Sequence, residues 1–475
     1  MKKIIYSFFT LLISHCLLPI AASAQPFKVD TLQYKGDRNK YINLVIMGDG
    51  YTASHQAAFK NDAQNLVNYV LGTTPWSNYK DYFNVIAIEA ISNQSGAKHP
   101  QTASDCNTDP SNPLSNPDNY FGSSFDNSGI HRLIKPTKAG NILTALGSTT
   151  FQYGMLLIVV NTPYYGGAGG GYATIPANTA ANDICVHEIA HSFGKVKDEY
   201  YPGDAIAGEA VNMTKTSVPS SVVWTNWVGS NGISVYQHCC GGNSAQWYKP
   251  ANANCKMEVL NKPYCSVCKQ AIIESIHKLV NPVVSYTPVK LTVDTIPQLI
   301  TFSLTQLMKP IPNTLRIQWT LDGNMILKNI ASAQIDQNTL SAGAHTLIAN
   351  VTDTTSLLRV DNHSTLTGHF STVTWTINKS ANGIEMTSTD NKITCSIYPN
   401  PSSDILNISV EMDKKSSASI ELVSMDGKIV QHITDQTLEA GTYSKTVNVA
   451  GLAQGTYTVV FKIGGALHTQ AFVKQ

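Results

Sequence analysis

Charged residues are scarce in this sequence. Only 14% of its 475 residues are Asp, Glu, Lys or Arg, against about 25% in an average globular domain. The 33 basic and 32 acidic residues nearly cancel, and no basic run is present. Nucleic-acid binding needs clustered Lys and Arg to neutralise phosphates, so we expect no nucleic-acid partner. With 43% hydrophobic residues, the composition also excludes a disordered chain.

Long apolar runs are also lacking, apart from residues 4–18 near the N-terminus. Lys2 and Lys3 precede this stretch, and Ala22-Ser23-Ala24 follows it with the small-x-small pattern that signal peptidase cuts. The run is too short for a membrane anchor. The sequence therefore predicts a signal peptide over residues 1–24 and an exported protein with no stable transmembrane segment.

Cysteine usage has two interpretations. Cys16 leaves with the signal peptide, and eight cysteines remain: Cys106, Cys185, Cys239, Cys240, Cys255, Cys265, Cys268 and Cys395. An even number in an oxidising compartment favours disulfides, although their pairing does not follow from the spacing. The alternative is a structural zinc held within residues 239–268, because Cys265-Ser-Val-Cys268 has ligand spacing.

Strands and helices alternate in the first part of the chain. Residues 42–91 read as strand, helix, strand, with an apolar helix face formed by Phe59, Ala63, Leu66, Val67 and Val70. A strand over 155–160 and helices around 184–193 and 265–279 follow. We predict one α/β or α+β domain over residues 25–283.

The rest of the chain has the two-residue alternation of β-strands. Residues 284–382 are predicted to form an immunoglobulin-like β-sandwich, with Asp322-Gly323 as a hairpin turn. A polar linker over 383–393 separates it from a second small sandwich over 394–475, which contains the Asp426-Gly427 turn. The predicted fold class is thus multidomain, an α/β domain followed by two all-β sandwiches.

The chemistry concentrates in residues 187–200, HEIAHSFGKVKDEY. His187 and His191 are four residues apart, so one helical face can present both imidazoles to a single zinc ion. Glu188 lies beside that ion, where it can take a proton from water and pass it to a leaving amine. The pattern predicts a Zn²⁺ site with Glu188 as the catalytic residue.

The third zinc ligand is less directly indicated. In the broad class with the pattern HExxHxxGxxH, it stands ten residues after the first histidine, where this chain has Lys197. A protonated amine does not suit zinc, whereas a carboxylate oxygen does. We therefore choose Asp198 as the ligand and keep Glu199 in reserve. The acid that is not a ligand could orient a histidine or be an exposed charge.

Other candidate residues have weaker support. Tyr200, Tyr236 and His238 are candidate donors to the oxyanion of a tetrahedral intermediate, with ordinary packing as the alternative for each. The glycine-rich run over 166–171 lacks the ending of a phosphate-binding loop. This run could border a cleft before the zinc helix or be a flexible surface loop. Residues 48–50, Gly-Asp-Gly, are interpreted as a structural turn.

Residues 187–200 resemble the motif of the IgA-peptidase family of zinc metalloendopeptidases. Further matching stretches are GDGYT at 48–52, FGSSFD at 121–126, NCKM at 254–257 and YCSVC at 264–268. The resemblance implies a metzincin-like catalytic domain that cleaves peptide bonds of extracellular proteins, such as IgA-like host glycoproteins. It makes Met257 similar to the methionine under the zinc in that group, whereas the sequence alone favours a core residue.

The C-terminal segment resembles the sorting domain of type IX secretion. The matching stretches are IYPNP at 397–401, DGK at 426–428 and LAQGTY at 452–457. The resemblance implies contact with the type IX secretion machinery, transport across the outer membrane, and then release or surface attachment.

Two other functions compete with a secreted zinc metalloendopeptidase. The first is a non-catalytic surface adhesin or glycan-binding protein, favoured by the β-sandwich. The intact His187-Glu188-His191 set argues against it, because a retired site often loses the glutamate. The second is a zinc amidase that acts on cell-wall peptides. The cleavage products would separate all three.

Overall fold

The computed structural model describes residues 27–106, 113–201, 207–239, 241–294, 299–359, 370–379, 393–424, 428–464 and 466–475. The predicted signal peptide, nearly all of the predicted linker, Cys240 and the Asp426-Gly427 turn lie outside these residues. The chain divides into two compact units. The first comprises Met1–Thr339 and His345–Ile377, and the second comprises Leu340–Ala344 and Asn378–Gln475.

A five-stranded sheet forms the centre of the N-terminal region. Its strands are β1 (Lys28–Gln33), β2 (Ile42–Asp49), β3 (Phe83–Glu89), β4 (Met155–Val160) and β5 (Ala173–Pro176), in the order β1-β3-β2-β4-β5. The pairs β2–β3, β2–β4 and β4–β5 are parallel, and β1 joins β3 antiparallel. The strands predicted around residues 42–47, 84–91 and 155–160 are therefore confirmed.

Four α-helices accompany this sheet: α1 (Gln56–Val70), α2 (Ala139–Leu146), α3 (Ala181–Ile189) and α4 (Ser266–Leu279). The apolar face predicted for the first helix is confirmed, since Phe59, Ala63, Leu66, Val67 and Val70 are all buried. This helix starts at Gln56 rather than Thr52, because Ala53–His55 forms a 3-10 turn first.

Strand β2 is buried along its full length, because both faces of the sheet are covered. Leu44 and Ile46 point into a core that includes residues of α1, α3 and α4, whereas Val45 and Met47 point into a second core that includes residues of α2. A parallel sheet needs cover on both faces. The sheet is therefore a rigid support for α3, the helix that carries the HEIAH motif.

Two further sheets follow α4. One consists of β8 (Val283–Thr287), β10 (Leu299–Leu307) and β13 (Ser332–Asp336). The other consists of β9 (Thr292–Val293), β11 (Leu315–Leu321), β12 (Asn324–Lys328), β14 (Gly343–Asp353) and β15 (Phe370–Lys379). Trp319 and Trp375 stack with ring centroids 5.7 Å apart, and both are fully buried. Every second side chain of β11 and β15 thus faces a hydrophobic core, in line with the alternation seen in the sequence.

A buried polar group ties this β region to the α/β region. Asp353, at the end of β14, is 1% exposed. Its carboxylate accepts hydrogen bonds from Tyr79 (2.6 Å), His277 (2.9 Å) and Thr314 (2.6 Å). Burial alone would raise the pKa of Asp353, but these donors, His277 first, hold that pKa below its usual range. The carboxylate is therefore charged and fully partnered.

We expect Asp353→Ala to lower the free energy of unfolding by about 3–5 kcal/mol, because it leaves buried donors without an acceptor. Denaturant unfolding of the full chain measures this change. Asp435→Ala, at an exposed position of the second unit, is the control and should change stability by less than about 0.5 kcal/mol. An equal, small effect of both substitutions would contradict the assigned role.

The second unit contains a three-stranded and a four-stranded antiparallel sheet. The first consists of β16 (Ile393–Tyr398), β17 (Ile405–Met412) and β20 (Gly441–Asn448). The second consists of β18 (Ser416–Ser424), β19 (Ile429–Leu438), β21 (Gly455–Ile463) and β22 (Ala466–Lys474). Alternate residues of β17 and β21, such as Ile408 and Phe461, fill its own core.

Short elements complete the first unit. A two-residue hairpin pairs β6 (Tyr236–Gln237) with β7 (Tyr248–Lys249), and 3-10 turns lie at Trp76–Tyr82, Asn127–Gly129, Thr225–Trp227, Ser244–Gln246 and Gln337–Thr339. Within the described part of the chain, no helix has the length and apolar character that a membrane span requires.

Candidate active site

Helix α3 and the turn after it carry the two motif histidines. The helix runs over Ala181–Ile189 and continues as one π-turn, Ala190–Gly194. Ile184, Cys185 and Ile189 anchor it in the core. His187 and His191 project from the same side, with ring centroids 4.8 Å apart. The prediction that one helical face presents both imidazoles agrees with this geometry.

The chain reverses after the π-turn at Lys195, which has left-handed backbone angles (φ 56°). The preceding Gly194 is buried, and a Cβ there would lie 3.1 Å from Cγ1 of Ile272 in α4. Gly194 therefore permits close packing of the turn on α4, and Lys195 makes the sharp exit. The reversal returns residues 196–199 past the histidines.

Three ligand-type atoms converge at this place. Nε2 of His187 lies 3.1 Å from Nε2 of His191, and Oδ1 of Asp198 lies 3.0 Å and 3.2 Å from these two atoms. The structure thus brings Asp198, rather than Glu199, together with the histidine pair. A tetrahedral zinc with bonds of 2.0–2.1 Å separates its N and O ligands by about 3.3 Å, so the triangle has the right size.

The other ring nitrogens fix the orientation of both imidazoles. Nδ1 of His187 donates to the carbonyl of Lys256 (3.0 Å), and Nδ1 of His191 donates to the carbonyl of Val196 (2.8 Å). In neutral rings the Nε2 lone pairs then face the Asp198 carboxylate. Such an arrangement needs a proton or a cation at its centre, and backbone carbonyls that fix the tautomer are typical of metal-binding histidines.

Without a metal, protons must neutralise this cluster. Burial opposes protonation of His191, but the charge of Asp198 outweighs it and raises the pKa of His191 to about 9. Burial likewise opposes ionisation of Asp198, yet His191 and His187 hold the pKa of that carboxyl well below its usual range. The site therefore favours positive charge at its centre.

Two residues outside the motif hold the segment that presents Asp198. Asn212 is fully buried; its Oδ1 accepts from the backbone of Lys197 (2.7 Å), and its Nδ2 donates to the carbonyl of Lys197 (2.9 Å). His238 donates from Nε2 to the backbone carbonyl of Asp198 (3.0 Å) and lies 2.5 Å from Oγ of Ser244. His238 thus holds the backbone of Asp198, which is not a position from which it could act as an oxyanion donor.

Glu199 points away from the histidines. Its carboxylate is fully buried and accepts from Nδ2 of Asn212 (3.0 Å) and from Sγ of Cys268 (3.3 Å). Cys255 and Cys265 complete this group, whose ligand-type atoms all lie within 4.8 Å of one another. Asp198 and Glu199 are adjacent in the chain but therefore serve two separate clusters.

The disulfide prediction is not confirmed for six cysteines. Those at 106, 185, 255, 265, 268 and 395 are free thiols. Sγ of Cys255 lies 3.7 Å from Sγ of Cys268, whereas a disulfide bond is about 2.05 Å long. Three of them, Cys255, Cys265 and Cys268, surround the Glu199 carboxylate instead of pairing. Cys239 is not part of the cluster, and Cys240 lies outside the described residues.

Glu188 lies in the wall of the same site, against the glycine-rich run. A Cβ on Gly167 would lie 2.8 Å from Oε1 of Glu188, and a Cβ on Gly169 would lie 2.6 Å from Cβ of His191. Only glycine fits this close approach. Burial raises the pKa of Glu188, opposed by His187 and His191. The run thus borders the site, as one of its two interpretations predicted.

A pocket of about 840 Å³ opens in front of these residues. Its lining includes His187, Glu188, His191, Asp198 and Tyr200. This volume is within the usual range for ligand sites, about 300–1,000 Å³. The motif residues therefore reach a cleft that a peptide segment can enter.

Only one of the three candidate oxyanion donors lines this pocket. Tyr200 does, with its ring 6.1 Å from that of His187 and the Arg132 guanidinium 5.8 Å from its centroid. The Tyr236 hydroxyl instead donates to the carbonyl of Gly232 (3.3 Å). Met257 is fully buried, and its carbonyl accepts from the backbone of Glu199 (2.8 Å).

Several pocket and support residues carry no sequence signal. Arg132 and Lys135 line the pocket and add positive charge to it, but they belong to no motif. The side chain of Asn212 acts on the backbone of Lys197, which no spacing rule reveals. Asp49, by contrast, belongs to the Gly-Asp-Gly stretch for which a structural role was predicted. It ends β2, and its carboxylate accepts hydrogen bonds from the backbone of Gly50, Phe121 and Ser123.

Family comparison agrees with both resemblances drawn from the motifs. Residues 31–236 match the family model of the IgA Peptidase M64 family, and residues 396–475 match that of the secretion system C-terminal sorting domain. The first match is to a family of metallopeptidases. The second indicates export by the type IX secretion system to the cell surface or the extracellular space.

Solved structures share only weak similarity with the chain. Dimeric latent PorU from Porphyromonas gingivalis matches at 10% identity and TM-score 0.18, covering 40% of this chain and 20% of that one. The fibronectin(III)-like modules of CbhA from Clostridium thermocellum match at 14% identity and TM-score 0.16, covering 40% of this chain and 94% of that one. SGBP-B from Bacteroides ovatus matches at 14% identity and TM-score 0.16, covering 40% and 45%.

The chain spans about a fifth of the length of the PorU structure. At these TM-scores the similarities support neither a fold assignment nor a function. No curated protein matches the chain.

Proposed function

We propose that this protein is a secreted zinc metalloendopeptidase that hydrolyses peptide bonds of extracellular proteins. The observation that carries the proposal is the convergence of His187, His191 and Asp198 on one point of a pocket, with Glu188 beside them. Zinc would be held by these two histidines and this carboxylate, and Glu188 would be the catalytic residue.

The donor set suits zinc. Two imidazole nitrogens and one carboxylate oxygen are the ligands of many catalytic zinc sites, which keep a fourth position open. When bound, zinc supplies Lewis acidity for the scissile carbonyl and lowers the pKa of a water molecule. The convergent lone pairs of the three side chains support the assignment, because they need a cation to be stable.

Glu188 would move the proton. Its carboxylate lies in a buried wall of the pocket, and burial raises its pKa toward the value at which a group both accepts and returns a proton. It would accept a proton from the attacking water and donate it to the leaving amine. Tyr200 lines the pocket and would offer its hydroxyl to the developing oxyanion.

We assign the catalytic work to a metzincin-like domain over residues 25–283. An immunoglobulin-like sandwich over 284–382 and a linker over 383–393 would follow, and the sorting domain would occupy 394–475. Residues 1–24 would be the signal peptide. The match of 31–236 to the peptidase family supports the first assignment, and the match of 396–475 supports the last.

Zinc affinity should rise with pH. Below its pKa of about 9, His191 carries a proton that zinc must displace. The apparent affinity should therefore increase by up to about tenfold per pH unit between roughly pH 6.5 and 9, and then level off. Competition with a coloured chelator at several pH values measures this dependence. A flat profile over that range would contradict the arrangement of His191 and Asp198.

Metal removal tests the proposed function. A chelator should abolish cleavage of casein by the full-length enzyme, and stoichiometric zinc should restore it, because Glu188 alone cannot activate water and carbonyl together. Magnesium, which prefers oxygen ligands, is the matched control and should not restore activity. Full activity of the metal-free protein would refute the proposal, and cleavage of peptidoglycan but not of proteins would favour the amidase.

A further inference from the structure

A second metal-binding geometry lies directly behind the candidate active site. Glu199, Cys255, Cys265 and Cys268 come from three separate segments of the chain. Three of these side chains are fully buried, and Cys265 is 7% exposed. Their ligand-type atoms all lie within 4.8 Å of one another. The mechanism proposed above uses none of them.

The distances within this cluster match those of a tetrahedral zinc site. Sulfur ligands at 2.3 Å from zinc lie about 3.8 Å apart, and a sulfur and an oxygen ligand lie about 3.6 Å apart. Sγ of Cys255 and Sγ of Cys268 are 3.7 Å apart, and Oε1 of Glu199 lies 3.3 Å from Cys268 and 4.0 Å from Cys265. The three segments thus already hold the ligands at the required spacing.

The described residues satisfy only one of the two carboxylate oxygens of Glu199. Its Oε2 is buried and makes no hydrogen bond. The nearby ammonium of Lys249 donates to the backbone carbonyl of Glu199 (2.7 Å) and pairs with Glu258 (2.6 Å), rather than with this carboxylate. A buried carboxylate without a counter-charge is unfavourable. A divalent cation among the four side chains would supply the missing counter-charge.

We propose that Glu199, Cys255, Cys265 and Cys268 bind a structural zinc ion. Cys265 and Cys268 have the C-x2-C spacing of structural zinc sites and stand at the start of α4. Thiolates favour a borderline-soft ion such as zinc over magnesium or calcium. The free thiols and the single carboxylate together complete four-coordination, which closes the site to substrate.

This zinc would position the catalytic ligands. Glu199 follows Asp198, and Cys255 precedes Lys256, whose carbonyl orients His187. The backbone of Glu199 also donates to the carbonyl of Met257 (2.8 Å). A closed metal site would therefore lock the segment carrying Asp198 to the segment holding His187, and both to α4.

Metal analysis of the full-length protein tests the site. Cys268→Ser and Glu199→Gln should each contain one zinc equivalent less than the wild type, whereas Cys395→Ser, at a half-buried free cysteine outside the cluster, should lose none. In cobalt-substituted protein, thiolate-to-cobalt charge-transfer absorption should decrease with Cys268→Ser and keep its wild-type intensity with His187→Ala. His187→Ala separates this site from the proposed catalytic zinc, which has no thiolate.

The wild type provides a second measurement if a variant does not fold. Mass spectrometry after denaturation with chelator and an alkylating agent, without reductant, should show Cys255, Cys265 and Cys268 all alkylated. A disulfide among these three cysteines, or unchanged zinc content in Cys268→Ser and Glu199→Gln, would overturn the proposal.

A different set of observations points to a third metal site. His99, Cys106, Asp126 and His131 also place their ligand atoms within 4.8 Å of one another. Nε2 of His99 lies 3.0 Å from Nδ1 of His131 and 3.4 Å from Oδ1 of Asp126. Sγ of Cys106 lies 3.3 Å from Nδ1 of His131. These separations are close to the 3.0–3.2 Å between the atoms of His187, His191 and Asp198.

The tautomer of His99 strengthens this assignment. Nδ1 of His99 donates to the carbonyl of Pro113 (3.0 Å), so in the neutral ring Nε2 turns a lone pair toward Asp126. We infer that a zinc ion lies between the four side chains. It would brace the neighbouring segment, of which Ile130, Arg132 and Leu133 line the pocket.

His99→Ala tests this site and should lower the zinc content by one equivalent, whereas His55→Ala, a histidine outside all three clusters, should not. In the wild type, a chelator should increase hydrogen exchange in peptides covering residues 99–131. Unchanged zinc content in His99→Ala, or exchange in that segment that does not respond to the chelator, would overturn the assignment.

Discussion

Glu188→Gln should retain the proposed catalytic zinc and lose about 10²–10⁴-fold in kcat. Glutamine has the same size as glutamate but cannot take up the proton that leaves the attacking water. The substitution leaves His187, His191 and Asp198 in place, so metal content should not change. Casein cleavage and metal analysis of the same preparation measure both effects.

The control for this experiment is Glu439→Gln, an exposed carboxylate in the second unit. It should leave both kcat and zinc content unchanged. Wild-type casein cleavage by Glu188→Gln would mean that another group moves the proton. Loss of zinc together with activity would instead make Glu188 a residue of the metal site.

Asp198→Ala should weaken zinc binding at the histidine pair by more than about 100-fold. Loss of a group that only orients a ligand lowers metal affinity about 10- to 100-fold, and loss of a direct ligand should exceed that. Activity should fall in parallel at limiting zinc, because the carboxylate oxygen lies 3.0 Å and 3.2 Å from the histidine nitrogens. A competitive chelator titration measures the affinity.

Lys197→Ala is the matched control, since Lys197 occupies the position at which the broad motif has its third ligand. The side chain of Asn212 contacts only backbone atoms of Lys197. Truncating the Lys197 side chain should therefore not move the segment. Zinc affinity should therefore stay at the wild-type value. Equal losses of zinc affinity in Lys197→Ala and Asp198→Ala would show that zinc binding depends on the conformation of this segment rather than on the Asp198 carboxylate.

Sequence patterns predicted much of the local structure. The buried face of α1 follows from helical periodicity, and the position of His187 beside His191 follows from their four-residue spacing. Both are properties of neighbouring residues on one element. The alternation of β11, in which Leu315, Ile317 and Trp319 are buried, is of the same kind.

Contacts between distant segments could not be predicted in this way. Glu199 and Asp198 look equivalent in the sequence, because both are carboxylates at the end of the motif. Their side chains point to different clusters, and each finds partners in segments that fold around it. No spacing rule places Asn212 or Arg132 at the site, since their roles depend on where loops return.

The cysteines show the same limit. Their even number and the export signal favoured disulfides, because composition reports the compartment but not the distance between sulfur atoms. Burial of Glu199 among Cys255, Cys265 and Cys268 depends on the packing of α4 against the residues after α3. The C-x2-C spacing was the one signal for a metal site there, and it could not indicate that the proposed fourth ligand would be a glutamate.

Identification of new N-termini tests the central claim most directly. The full-length wild type and Glu188→Gln would each be incubated with a mixture of extracellular proteins and, separately, with peptidoglycan, and the products analysed by N-terminal labelling and mass spectrometry. We predict zinc-dependent internal cleavage of proteins by the wild type, no such cleavage by Glu188→Gln, and no release of peptides from peptidoglycan. The same new N-termini from both enzymes, or none from either, would contradict the assignment of peptide-bond hydrolysis to this site.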